Sequence, residues 1–420
     1  MFFVFTSSSN YFFTTLSASR ILQILVLTLL AFSFILKLIH GKKIIIINNF
    51  LPENQFLLLF YIMSIFSILV GLTYGSYNLP KEVDPIFKIK NPYLFRSFFE
   101  YFILLYNIIY FVILPKQLIK SKYELDYLFT IFKFFLILSL FIGFADYILY
   151  KTTNIVLLGR NMSDGFSVGN RFHGLGGEPR QSAVQMIFYL SLYLLYCSYF
   201  NLKMQKWIIF LLILSLPLTS SMSLFVSVII LIFFLIIFRM IKFKLIILIV
   251  PILILMYFND RINLYIGSII NIFDNFQVDE NLPYLIYNQR GSFYPLHDMY
   301  ISFQNFKLVP IFFGNGLGSA GAINNFYYGD YLGISNPNSQ GVRLLFEHGV
   351  IGLIIFIFSM IWPIKYLAKN VDYKTKKLCL LGMILVLSAT LSVRSPVIYI
   401  YLGVMTLFLS SKEKRIKNFN

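Results

Sequence analysis

Residues 224–238 read LFVSVIILIFFLIIF, fifteen consecutive residues without a charge. A helix that crosses a bilayer core needs roughly 20 predominantly apolar residues, and this block approaches that length. Comparable blocks recur along most of the chain, so that 58% of its 420 residues are apolar, 13% are charged and the mean hydropathy is +0.76. Soluble proteins are about 25% charged, so this chain has too few charges to cover an aqueous surface. The sequence therefore predicts an all-α, polytopic integral membrane protein.

The apolar blocks predict about 11 transmembrane helices within a single membrane domain over residues 1–420. The predicted spans are 20–38, 55–73, 97–115, 128–150, 182–200, 206–219, 221–238, 243–258, 348–366, 378–393 and 395–410. The sixth and seventh spans are short and meet at residues 217–222, which indicates a tight hairpin. The sequence leaves open whether residues 2–16 also enter the membrane.

Basic residues are concentrated in short loops between the spans. The formal net charge is +17, but it is distributed over several loops and the C-terminal tail instead of being gathered on one face, which disfavours nucleic-acid binding. The positive-inside rule assigns these loops to the cytoplasm. They include Lys42 and Lys43, Lys116, Lys120 and Lys122, Lys203 and Lys206, Arg239, Lys242 and Lys244, and Lys365, Lys369, Lys374, Lys376 and Lys377.

Three longer segments are then predicted on the outer side, at about 74–96, 151–181 and 259–347. The last is the longest hydrophilic stretch of the chain. Within it, Gly316, Gly318 and Gly321 match the string GxGxxG. The residues that follow, AINNFYYGDYLG, predict a poor helix, and no βαβ pattern surrounds them. A dinucleotide-binding fold is therefore a poor interpretation of these glycines.

The outer loop at 151–181 is rich in arginine and glycine. Arg160, Arg171 and Arg180 lie among glycines, next to Glu178. A guanidinium stays charged at any relevant pH and presents a planar fork of donors to phosphate, while glycine lets the backbone approach a ligand closely. The pattern indicates a phosphate-binding loop. A solvated loop whose arginines meet lipid headgroups is an equally good interpretation of these residues alone.

Several other chemistries lack their motifs in this chain. There is no GxxxxGK[ST] phosphate loop, and the four histidines show no HExxH spacing, so neither an ATP-driven machine nor a metal site is expected. His297 and Asp298 are interpreted as a base or, with more weight, as ordinary polar loop residues. Glu347 and His348 fall at a predicted membrane boundary, where an interfacial role accounts for them.

Four segments carry a resemblance to a known family. They are RFHGLGGEPRQSA at 171–183, LPLTSSMSLF at 216–225, RGSFYPLHDMY at 290–300 followed by FFGNGLGS at 312–319, and NSQGVRLLFEHGVIGL at 338–353. In order, spacing and topology they resemble the O-antigen polymerase and O-antigen ligase superfamily of bacterial envelope enzymes, over roughly residues 128–410. Pro337, Asn338 and Ser339 occupy the region where ligases usually carry a histidine, which favours the polymerase. Met222 departs from the family, which often has an arginine there.

The resemblance implies a glycosyltransferase in the bacterial cytoplasmic (inner) membrane that polymerises polyprenyl-pyrophosphate-linked repeat units. Pyrophosphate is a good leaving group, so the site needs fixed positive charge for it and one base for the acceptor hydroxyl. Arg171, Arg180 and Arg290 are the candidates for binding the pyrophosphate. Glu178 is the first candidate for the base, followed by His297 or Asp298. No metal and no cofactor are implied.

Two other functions stay open. An O-antigen ligase would transfer finished chains to a different acceptor and leave their length unchanged. A flippase or another transporter of lipid-linked oligosaccharides would predict internal repeats and charged residues at mid-membrane, whereas the polar residues of this sequence are predicted to concentrate in outer loops. The expected partners are lipid-linked oligosaccharides, membrane lipids and other polysaccharide-assembly proteins.

Overall fold

The computed structural model describes residues 11–13, 16–17, 28, 51–74, 92–119, 121–155, 157, 171–174, 179–219, 295–296, 298–328, 340–367, 373–390 and 395–417. The predicted spans 221–238 and 243–258 lie outside these ranges, as does 20–38 apart from residue 28.

The described residues are almost entirely helical, which confirms the predicted all-α class. The helices are α1 (Leu51–Thr73), α2 (Pro92–Asn107), α3 (Leu114–Leu118), α4 (Lys122–Thr153), α5 (Pro179–Tyr199), α6 (Lys206–Leu218), α7 (Leu308–Phe313), α8 (Ser319–Tyr328), α9 (Gln340–Leu367), α10 (Tyr373–Ala389) and α11 (Pro396–Lys417). A π-helical stretch, Ile108–Ile113, joins α2 to α3. Two short antiparallel strands, β1 (Tyr11–Phe13) and β2 (Leu16–Ser17), were not expected from the sequence.

Five helical stretches in the described part of the chain are long and apolar enough to cross a membrane. They are Glu53–Thr73, Ser97–Lys116, Tyr123–Thr153, Ser182–Tyr199 and Gln340–Tyr366. The predicted spans 55–73, 97–115, 128–150, 182–200 and 348–366 fall on them. Lys206–Leu218 and Pro396–Leu409 are shorter apolar helices. The total of about 11 spans stays a prediction.

The long helix α4 shows how local sequence sets these boundaries. Ser121 accepts a hydrogen bond from the Glu124 backbone N–H at 3.1 Å, and the Glu124 carboxylate accepts one from the Ser121 N–H at 2.9 Å. This reciprocal capping box satisfies two amide groups that the first helical turn leaves unpaired. The helix ends at Thr153, where Asn154 adopts a left-handed conformation with φ of 59°. The apolar residues between these signals account for the 31-residue span.

Contacts at one end of the bundle, named here the lysine end, join the helix ends next to the basic loops. The pairs are Glu53 with Lys116, Asp126 with Tyr196, and Ser198 with Thr375. Phe408 of α11 packs there against Phe129 and Tyr199. Each pair joins the start of one helix to the last turns of another, so the paired helices run antiparallel.

The opposite end, named the glycine end, is held by a second set of contacts. The pairs are Ser97 with Leu317, Glu100 with Arg343, Phe172 with Leu218, and Gln340 with Thr390. These contacts and those at the lysine end give α1, α4, α6 and α10 one direction and α2, α5, α9 and α11 the other. This alternation agrees with the one that the basic loops predict.

Three expectations for the C-terminal half were wrong. Helix α9 begins at Gln340, eight residues before the predicted start of its span, and it contains a break at Gly349. AINNFYYGDYLG begins with residues of α8, so it was wrong to expect a poor helix there. Residues 314–323, assigned to a hydrophilic loop, are buried in the protein. The helix α7 precedes the glycines where a dinucleotide-binding fold requires a strand, so that fold remains a poor interpretation.

Candidate functional site

A buried ionic cluster joins α2 to α9 at the glycine end. The guanidinium of Arg343 donates from one terminal nitrogen to Glu100 Oε2 at 2.9 Å and from Nε to Glu347 Oε1 at 3.0 Å. The Arg343 side chain is 4% exposed and both carboxylates are fully buried. Arg343 and Glu347 are four residues apart in α9, a spacing that places side chains on one helix face. All three side chains of this cluster are buried in the protein.

A break in α9 shapes the backbone beside this cluster. Gly349 has φ of 69° and ψ of −176°, which interrupts the helical ladder. The carbonyls of Phe346 and Glu347 instead accept hydrogen bonds from the N–H groups of Asn315 at 2.9 Å and Gly316 at 3.0 Å. The GNGLGS stretch is therefore attached by its backbone to the interrupted turn of α9.

Glycine is required at this junction because the backbone of the glycine stretch touches the backbone of α9. A Cβ on Gly314 would lie 2.3 Å from the Glu347 carbonyl oxygen, and one on Gly349 would lie 2.4 Å from the Phe312 carbonyl group. Gly318 continues the approach toward α2, since its Cβ would lie 3.8 Å from the Glu100 carboxyl carbon. Ser97 in α2 also donates a hydrogen bond to the Leu317 carbonyl. These contacts hold Glu100 against the glycine stretch.

His348 follows the cluster directly and faces α1. Its ring packs on Phe60 with centroids 4.8 Å apart, and Nδ1 lies 3.5 Å from Ser64 Oγ. The residue is 1% exposed. Within the described part of the chain, Nε2 has no hydrogen-bond partner. Glu347 and His348 are thus buried inside the protein.

The cluster combines one positive and two negative side chains, so its formal net charge is −1 when His348 is neutral. Buried ionisable residues within membrane spans mark either a route for ions or protons, or a structural joint whose charges are paired. Among the described residues, no three His, Cys, Asp or Glu side chains come together as a metal site would require. The arrangement can fix the relative positions of α2 and α9.

A second polar group at the glycine end contains Arg171. Its Nε donates to the Thr219 carbonyl at 2.8 Å, and the Phe172 N–H donates to the Leu218 carbonyl at 2.8 Å. Both acceptors lie at the C-terminal end of α6, where carbonyls lack helical partners and a cation is favoured. Arg171 is half-buried, whereas Phe172 and His173 are buried. The arginine is therefore held in place by a helix end and is not a free side chain on a solvated loop.

The other predicted site residues divide into those that the structure describes and those that it does not. Arg180 lies in the first turn of α5, and only its backbone is described. Asp298 is half-buried in a helical stretch at 298–304. Glu178, Arg290 and His297 lie outside the described residues. No contact among the six predicted residues is therefore established.

Sequence reasoning missed the Glu100–Arg343–Glu347 cluster. The available signal was Glu100, a carboxyl group inside the predicted span 97–115, because an ionisable residue within a span requires a partner. Its partner lies 243 positions later in the chain. Neither periodicity nor local spacing connects residues at such a distance.

The segments that carry the family resemblance meet in pairs. RFHG contacts the end of LPLT through Phe172 and Arg171, while FFGNGLGS contacts FEHG through Asn315 and Gly316. Both pairs lie at the glycine end. No family model, curated protein or solved structure matches this chain.

Proposed function

We propose that this protein is a polysaccharide polymerase, a glycosyltransferase of the bacterial cytoplasmic membrane. In the proposed reaction, a glycan linked to polyprenyl pyrophosphate is transferred onto a lipid-linked repeat unit at the outer face. The observation that carries the proposal is the pairwise contact of the resemblance segments at the glycine end. These contacts bring residues that are far apart in sequence to one end of the bundle, as a single site built from the segments would require.

Arg171 supports the proposal most directly. A guanidinium has five N–H donors, and the bond from Nε to the Thr219 carbonyl fixes the plane of the group. Fixed positive charge that needs no reorganisation is what a departing pyrophosphate requires. Arg180 and Arg290 are proposed to share this role. Glu178 is proposed as the base for the acceptor hydroxyl, with Asp298 and His297 as alternatives.

The test is polymer length in cells that lack the protein, rescued with variants at matched membrane levels. Arg171→Lys keeps a cation at the end of α6 but loses the planar fork of N–H donors. We therefore expect shortened polysaccharide chains, with single repeat units retained. Glu178→Gln is expected to give the same result if Glu178 is the base. Lys203→Gln, an exposed change at the lysine end, is the matched control and should restore full length. Unchanged polymer in the deletion strain would refute the polymerase.

A transporter of lipid-linked oligosaccharides is the second candidate, and the buried cluster favours it. The sequence predicted that polar residues concentrate in outer loops, but Glu100, Arg343 and Glu347 lie within the candidate spans Ser97–Lys116 and Gln340–Tyr366. Such residues are typical of substrate and proton routes. A deletion strain that retains lipid-linked units only on the inner leaflet would support the transporter. Normal chain length with unattached polymer would support the ligase.

A further inference from the structure

The stretch at 298–313 exposes an unexpectedly apolar surface for a segment that the sequence assigns to a hydrophilic outer loop. Phe306 is 85% exposed and Phe303 is 63% exposed. Further large apolar side chains on the same stretch are also exposed, namely Tyr300, Leu308, Val309 and Phe312. Exposed apolar surface of this extent marks a site that contacts a partner or a membrane.

The depth of this surface can be read from α1, which α7 packs against. The rings of Phe313 and Phe66 meet edge to face with centroids 5.1 Å apart. Phe66 precedes the glycine-end residue Thr73 by seven positions, and at 1.5 Å per residue this separation is about 10 Å along the helix. The end of α7 therefore lies well below the outer end of a candidate membrane span.

The exposed side of α7 is continuous with the exposed side of α1. The large apolar residues Ile62, Ile65, Phe66 and Leu69 of α1 are all exposed, as expected for the face of a span that contacts lipid. The contact between Phe66 and Phe313 joins this face to the surface of α7. The same surroundings would therefore cover the exposed face of α1 and the exposed face of α7.

The backbone beside α7 meets the requirements of a low-dielectric environment. Irregular backbone at membrane depth is tolerated only where protein or a water-filled cavity surrounds it. The Gly314 N–H donates to Pro310 O at 2.8 Å, and the next two N–H groups donate to α9. Residues 314–317, which leave the helical conformation, are buried. The irregular residues 314–317 are thus shielded, and the exposed apolar side chains of Leu308, Val309 and Phe312 lie on the helix α7.

The preceding residues have the composition of a membrane interface. Gln304, Asn305 and Lys307 alternate with the exposed aromatic residues. Aromatic rings and lysine are enriched at the headgroup level, where a lysine also complements anionic lipids. Residues 298–307 therefore suit the boundary between water and hydrocarbon, and Leu308–Phe313 suits the hydrocarbon itself.

We propose that residues 298–313 form a re-entrant membrane element whose exposed aromatic and aliphatic side chains contact the acyl chains of bilayer lipids at the glycine end. Residues 298–307 lie along the headgroups, and Leu308–Phe313 enters the leaflet beside α1. The element requires no glycan substrate, so it stands independently of the proposed function.

Fluorescence quenching of single tryptophans in reconstituted bilayers tests this element. The native Trp207 and Trp362 are replaced by Phe, and Phe312→Trp, Phe306→Trp and Phe303→Trp are introduced one at a time. Ile62→Trp on α1 is the lipid-exposed reference, and Lys203→Trp in the polar turn after α5 is the aqueous reference. Each variant is measured with lipids brominated on their acyl chains and with aqueous iodide, after gel filtration confirms a monodisperse protein.

We expect brominated lipids to quench Phe312→Trp by the same factor as Ile62→Trp, with iodide having little effect. Phe306→Trp should respond most to bromines placed near the headgroups. Quenching of these variants by iodide alone would show a water-exposed loop and overturn the proposal. Quenching by neither agent would show a surface covered by protein and would overturn it equally. If Phe312→Trp is not monodisperse, Phe303→Trp and Phe306→Trp decide the outcome.

Discussion

At the residue scale, Arg343 is stabilised by the two carboxylates that share it. Removing a charged group from water costs several kcal/mol, and only close, hydrogen-bonded partners compensate for this. Glu100 and Glu347 provide these partners at 2.9 and 3.0 Å. The cluster therefore depends on all three side chains being present, and each carboxylate relies on the same cation.

Arg343→Met is expected to destabilise the protein by about 3–5 kcal/mol, because it leaves two buried carboxylates without their shared cation. The measurement is the free energy of unfolding of the purified protein in detergent, obtained by titration with a denaturant. A neutral cluster, Arg343→Met with Glu100→Gln and Glu347→Gln, should be destabilised less than the single variant. If the single and the triple variant lost the same free energy of unfolding, packing and not charge would explain the effect.

The two arginines also show what a sequence reveals about a site. Arg171 was identified because its neighbours are glycines and other arginines, and the structure gives it a fixed position against α6. Arg343 lies in the segment 259–347 that was predicted as an outer loop, and its partner Glu100 is 243 positions away, so the sequence did not connect the two. Local composition indicates a binding loop, but only the fold shows which distant charges neutralise each other.

At the scale of elements, α9 consists of two helical pieces joined at Gly349. Its apolar half, after the break, was predicted well because unbroken hydropathy marks the residues that face lipid. The first nine residues contain Arg343 and Glu347, and these charges lowered the hydropathy enough to place the predicted start at 348. Ion pairing allows these charged side chains to be buried, and a hydropathy pattern does not detect ion pairing.

Gly349→Ala is expected to destabilise the protein by about 2–5 kcal/mol. The added Cβ would lie 2.4 Å from the Phe312 backbone, and a φ of 69° is strained for alanine. Gly341→Ala, at an exposed position of the same helix, is the matched control and should raise stability by up to about 1 kcal/mol. Both are measured as shifts in denaturant midpoint. A mild effect at Gly349 would mean that α9 can shift away from α7 at little cost.

At the scale of the whole molecule, helix direction was predictable and helix neighbours were not. Basic loops alternate along the chain, and the described contacts give the same alternation of directions. The packing of α1 on α9 and of α5 on α10 joins residues far apart in sequence, and no composition or periodicity indicates it. Charge asymmetry acts on each loop separately, whereas packing depends on the shapes of two complete helix surfaces.

The helix directions show which helix ends lie together, but they do not show which end of the bundle faces the cytoplasm. That assignment rests on the basic residues of the loops. If the lysine end faces the cytoplasm, Lys203→Cys in the exposed turn after α5 should resist a membrane-impermeant maleimide in intact cells and react after lysis. Ile155→Cys, exposed beyond the glycine end of α4, should react in intact cells. The native Cys197 and Cys379 are both buried, and replacing them with Ser or Ala removes any background. Reversed labelling would place Arg171 on the cytoplasmic side, where a polymerase that acts at the outer face could not use it. The proposed site therefore requires that the glycine end faces outward.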